Sequence, residues 1–371
     1  MKNKIENVIP FPVDAQSNLL FCALTSVLLA VGEAGEGNNL RFFCEQSTAC
    51  CKDCNGCTRK PIPERRHLIL YHFLSTVTGV SLLWADPAKT STYPNRFFPG
   101  KDSGLLADRL DFALKACGCH YTRLEKGMRK AEIFTEVADS VNQGIPVLVK
   151  LGNGEDWHIV TGYSADPFTF YGIDAHKHYS VRPAVAPEGY LEDGCFYLSD
   201  WYPVFQCAVA VTDLKGFGLP FYYLIQRMHF VLSREESNRL EAEIFSEIDS
   251  LTGPQEPGSR LYHLVRYALE GRWHAAECCK FMLRTMTTNP TQQKCLAEIT
   301  NQYLRFHKIC WNLWESIGAS PDTPFVLPEH SNEILQQASG KESLKASVAI
   351  LFEIDRSVCQ LLQIILNSSG A

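Results

Sequence analysis

The chain has no long block of one charge, no internal repeat and no apolar run of membrane-spanning length. Its 35 Lys+Arg against 41 Asp+Glu give a formal charge of −6, and the pI is near 6. Without a Lys/Arg-rich block there is no footprint for holding nucleic-acid phosphates, so no nucleic-acid partner is expected. Charged residues are only 20% beside 46% hydrophobic and 11% aromatic, the opposite of the composition that keeps a chain disordered. The apolar run Leu19 to Val31 falls short of the about 20 residues that cross a bilayer, so no membrane span is expected. Lys2 and Lys4 precede that run as they would in a signal peptide. Glu6, Pro10, Pro12, Asp14 and Gln16 separate the two, however, and the expectation is a cytoplasmic protein. A length of 371 residues suggests two domains.

Cysteine is plentiful instead. Fifteen is an odd number, and in a chain this long the load points to thiols, metal ligands or a nucleophile before a disulfide framework. Five of them, Cys44, Cys50, Cys51, Cys54 and Cys57, fall within fourteen residues that have neither helical nor strand period. The C-x2-C-x2-C spacing of Cys51 to Cys57 matches the first three ligands of a bacterial ferredoxin run, but Pro61 stands where a fourth cysteine would follow. Cys44 or Cys50 could supply the fourth thiolate, to an iron–sulfur cluster or to a tetrahedral zinc, and thiolate suits both. A surface loop of free or redox-active thiols is the competing reading. Four protein thiolates would leave no open position, so any metal there would be structural.

The order of patterns predicts an α+β fold. A helix is expected from near Leu20 to Gly32, followed by the cysteine-rich loop, and further helices in LLADRLDFALKACG and AEIFTEVADSVNQG, the latter stopped by Gly144. IPVLVKLG, DWHIVTGYS, FTFYGIDAH, CFYLSD, FQCAVAVTD and PFYYLIQRMHFVLS then read as strands of one sheet. From about Arg234 apolar residues recur at three-four spacing through four long segments, as in a helical bundle. The expected domains are therefore 1–233, with helices and an antiparallel sheet and the cysteine-rich insertion at 44–57, and an all-α domain at 234–371.

Four residues could carry nucleophilic chemistry, which needs a thiolate, a base, an orienter for that base and donors for an oxyanion. Cys22 falls at the predicted start of the first helix, where the dipole favours a thiolate. Gln16, six residues earlier, could donate to an oxyanion together with the Cys22 backbone N–H. His158 lies in the strand DWHIVTGYS. Asp174 ends the next strand, where an antiparallel pair could set its carboxylate beside the imidazole.

Q-x5-C opening a helix, then GIPVLVKLG, then W-H-I-V-T-G-Y, then an aspartate at the next strand end, resembles the papain-like bacteriocin-processing peptidases. It is also similar to the butirosin-biosynthesis protein H family, papain-like proteins with an additional helical C-terminal domain. The resemblance covers roughly residues 8–232 and is specific at three short stretches. It implies a papain-like fold, with Cys22 as nucleophile, His158 as general base and acid, Asp174 as orienter and Gln16 as oxyanion donor. In the second family the cysteine accepts an acyl group from an acyl carrier protein and passes it to an amine, a reaction that requires no cofactor. Ala23 stands where the peptidases usually have Gly, and Ala175 where they have Pro. With the helical domain, these departures favour the transferase over a peptidase acting on a small peptide. A catalytically inactive papain-like binding protein with a metal-carrying loop is the reading from a different class.

Ordinary structural roles compete at every one of these positions, since buried cysteines, strand histidines and strand-end aspartates are common. Asp166, before Pro167, is the second candidate orienter but reads first as a turn residue. His176 and His178 form a solvated H-K-H pattern, while Cys117, Cys119, Cys278 and Cys279 read as packing residues. Phe306, Trp311, Leu313 and Trp314 form an aromatic-rich stripe in the C-terminal domain. Core packing is the default for that stripe, and an acyl-chain or partner surface the alternative.

Overall fold

The computed structural model describes residues 3–5, 8, 19–34, 62–84, 109–152, 157–165, 167–174, 195–214, 218–233, 236–250, 260–287, 289–316 and 338–368. It is a mixed helix and antiparallel-sheet protein that divides into two compact units. Met1–Leu74 and Leu110–Leu219 make the first unit; Ser75–Arg109 and Pro220–Ala371 make the second.

The first unit holds helices α1 (Leu19–Ala34), α3 (Arg109–Ala116) and α4 (Lys130–Asn142), with most of α2 (Ile62–Val77). Its strands are β1 (Asn3–Lys4), β2 (Cys119–Glu125), β3 (Val147–Leu151), β4 (Trp157–Ala165), β5 (Phe168–Asp174), β6 (Cys195–Leu198) and β7 (Phe205–Leu214). They pair antiparallel in the order β2-β7-β3-β4-β5-β6, with β1 joining β4 beyond the end of β3. The sequences VLVKL and WHIVTGYSA are rich in the β-branched and aromatic side chains that fit a pleated, buried surface.

One face of the sheet packs on α4. Ile133, Phe134, Val137, Ala138 and Val141 of that helix share a core with Val147, Val149 and Leu151 of β3, Val160 of β4, and Ala208 and Ala210 of β7. Trp201 lies in the same core, stacked on Phe170 at 4.4 Å, and its indole N–H donates to the Phe168 carbonyl. Helix α4 stops at Gly144, whose φ of 78° lies in the left-handed region that side chains resist. Because strand side chains alternate, Leu148, Ile159 and Val209, all fully buried, belong to the opposite face. Helix α1 packs against β3, β4 and β7, and none of its residues joins the α4 core, so α1 covers that second face. Every residue of α1 from Leu20 to Leu29 is buried, as expected of a helix apolar on all sides.

The second unit holds α5 (Phe221–Leu232), α6 (Glu236–Asp249), α7 (Arg260–Thr285), α8 (Pro290–Ser316) and α9 (Ala338–Ser368). Helix α7 packs on α8, α8 on α9, and α9 on α5 and α6. The four helical patterns expected after Arg234 are thus all present. PFYYLIQRMHFVLS, expected as a strand, is instead helix α5. Its buried Leu224, Ile225, Met228, Val231 and Leu232 recur at helical spacing, a period masked by the aromatic residues at its start. The division between units falls at 219/220, and the unit also takes in Ser75–Arg109, whereas the sequence placed one boundary at 233/234. Strand β2 lies in a stretch to which the sequence assigned no element, and its burial follows an edge strand with few inward positions.

Candidate active site and a buried polar centre

Cys22 is the fourth residue of α1, within the first turn of the helix as the sequence predicts. Its side chain is fully buried. Burial pushes the thiol pKa well above its ordinary value, and the cysteine's own backbone N–H acts in the opposite sense without overcoming this. The direction is the reverse of the lowering expected at a helix N-terminus: desolvation of a thiolate outweighs the dipole when no water reaches the sulfur. Ser26, one turn on, donates to the Cys22 carbonyl at 3.3 Å. Thr25 Oγ1 is buried in the same helix with no hydrogen-bond partner.

His158 is the second residue of β4 and 5% exposed. The register sets it directly opposite Asp174, the last residue of β5, so the sheet juxtaposes this pair in backbone as the sequence expects. On its other side His158 pairs with Val149. Paired residues point to the same face, and Val149 belongs to the α4 core, so His158 lies on the α4 side of β4 while α1 covers the other side. A register shift between Val160 and Gly162 interrupts β4 two residues later, and the Thr161 carbonyl there accepts from the Ile5 N–H at 2.7 Å.

Gln16, Asp166, His176 and His178 lie outside the described residues, as do Cys44, Cys50, Cys51, Cys54 and Cys57. Among the described residues no three His, Cys, Asp or Glu side chains gather where they could hold a metal ion, and no helix is long and apolar enough to cross a membrane. Cys117, Cys278 and Cys279 are buried free thiols, and Cys119 opens β2 rather than ending a helix. Phe306 is fully buried in the second unit, which accords with the core reading of the aromatic stripe, and Trp311 is half-buried and stacked on His307.

Of an extensive buried polar group in the second unit, the sequence pointed only to Phe306, as part of the aromatic stripe. Arg272 of α7, fully buried, donates from Nε and Nη2 to the two carboxylate oxygens of Asp355 on α9. Its Nη1 donates to the carbonyls of Ser81 at 2.8 Å and Leu83 at 3.3 Å. The Trp84 indole N–H donates to Asp355 Oδ2 at 3.0 Å, and its ring stacks on Phe352 at 4.4 Å. The guanidinium also lies over the rings of Trp84, Tyr303 and Phe306. Burial opposes the charge on Arg272, and the Asp355 carboxylate more than offsets it, so the guanidinium pKa rises. The Tyr303 hydroxyl is buried here without a partner, and burial pushes its pKa up. A signal for this group was present. Arg272 stands at three-four spacing from the buried Ala268, Ala275, Ala276 and Cys279, a charge on the apolar face of a helix.

Comparison with protein-family models, with curated proteins and with solved structures finds no match to this chain.

Proposed function

We propose that this chain is a papain-like cysteine acyltransferase, with Cys22 forming a thioester intermediate and His158 moving the protons. The observation that carries the reading is the strand register that opposes His158 to Asp174, in the same unit as a first-turn cysteine on a helix packed against β4. A separate helical unit after the sheet accords with the transferase side of the resemblance.

In this state Cys22 is a protonated thiol, so His158 has to take its proton as the acyl carbonyl arrives. Because His158 faces α4 while α1 covers the other side of β4, this step requires the thiol and the imidazole to be brought together around the start of β4 when substrate binds. The sulfur forms a bond to the carbonyl carbon, and Gln16 and a backbone N–H receive the oxyanion. The donor thiol leaves with the proton from His158. An incoming amine then gives a proton to His158 and attacks the thioester, releasing the amide and returning the proton to Cys22. An acyl carrier protein is the proposed donor, and a small peptide would be the substrate of a peptidase on the same scaffold.

The full burial of Cys22 and the placement of His158 on the face of β4 away from α1 favour a second reading, a non-catalytic papain-like binding protein, with the Cys44–Cys57 loop as a zinc or iron–sulfur site. Turnover separates the two. Short-chain acyl-pantetheine thioesters and a primary amine are supplied to the purified protein, and released thiol, amide and free acid are measured. The transferase gives amide, and His158→Ala loses about 10²–10⁴-fold in rate, the range of general-base catalysis. Cleavage of a peptide amide without transfer identifies the peptidase. No turnover with either substrate, in a sample carrying stoichiometric zinc or iron, supports the binding protein and overturns the enzyme.

A further inference from the structure

No further inference is drawn: the strongest candidate, the buried Arg272, Asp355, Trp84 and Tyr303 cluster inside the helical unit, spends its hydrogen bonds on its own members and on the Ser81 and Leu83 carbonyls, and the single unpaired hydroxyl of Tyr303 defines no ligand.

Discussion

Two buried polar side chains, one in each unit, stand in opposite surroundings. In the helical unit a charge is buried beside its counter-charge, and the Arg272 guanidinium is spent on Asp355 and two carbonyls. In the sheet unit the Cys22 thiol is buried and its own backbone N–H offsets that only in part, and among the described residues the Thr25 hydroxyl nearby has no hydrogen-bond partner. The first arrangement fixes a structure, because the desolvated guanidinium and carboxylate each regain hydrogen bonds from a neighbour. The second leaves the thiol desolvated with no counter-charge among the described residues, which is the condition of a group held for chemistry or of a small packing residue. The Tyr303 hydroxyl, buried beside the ion pair without a hydrogen-bond partner, departs from this without altering the role of the pair.

The largest expected effect comes from breaking the ion pair. Asp355→Ala leaves Arg272 buried without its counter-charge and is expected to cost about 3–5 kcal/mol, read as a lower denaturation midpoint for the helical unit. An unchanged midpoint would mean that the pair is solvated. Next is Gly271→Ala. A Cβ there would stand 2.5 Å from the Ser81 carbonyl oxygen, so α7 and the 80–82 turn must separate, at about 1–3 kcal/mol. Full tolerance of alanine would show that the turn does not sit against α7.

A pH series compares the thiols of both units. Burial raises Cys117 of the sheet unit and Cys279 of the helical unit from 9.0 to about 12. Below pH 9 both are protonated whether folded or unfolded, and their contribution is constant. As pH rises from 9 towards 12 the unfolded chain releases protons that the folded chain keeps. Stability therefore falls, by about 1.4 kcal/mol per pH unit for each thiol. Unfolding at a series of alkaline pH values, with Cys117→Ala and Cys279→Ala removing one contribution each, checks the slope; a slope unchanged in both variants would place these thiols in water. The smallest effect is expected from Trp84→Phe, which keeps an aromatic ring over Phe352 but loses the hydrogen bond to Asp355. About 1 kcal/mol is expected, and the loss should vanish in an Asp355→Ala background if the indole acts through that carboxylate.

Much of this architecture was legible in residue spacing. The β-branched and aromatic runs VLVKL and WHIVTGYSA and the helical recurrence after Arg234 are local signals, and the structure has those elements. Helix α5 was misread because Phe221, Tyr222 and Tyr223 resemble a strand locally, while its helical period emerges only from Leu224 onward. The second unit's claim on Ser75–Arg109 was invisible, because it depends on contacts such as Arg272 to Ser81, 191 residues apart. At the candidate site the sequence placed Cys22 in the first turn of its helix and His158 beside Asp174. It had no means of showing that the thiol is desolvated, or that His158 and α1 belong to opposite faces of β4, since burial and sheet face are set by how strands pair.

The central claim is that Cys22 accepts an acyl group, and covalent loading tests it most directly. Wild type, Cys22→Ala, and Cys117→Ala as a buried-thiol control are incubated with an acyl-pantetheine thioester, without amine, and followed by intact mass and peptide mapping. One acyl increment on Cys22 in wild type and Cys117→Ala, absent from Cys22→Ala and reversed by added amine, is the predicted result. No increment in wild type, or one that persists in Cys22→Ala, would contradict it.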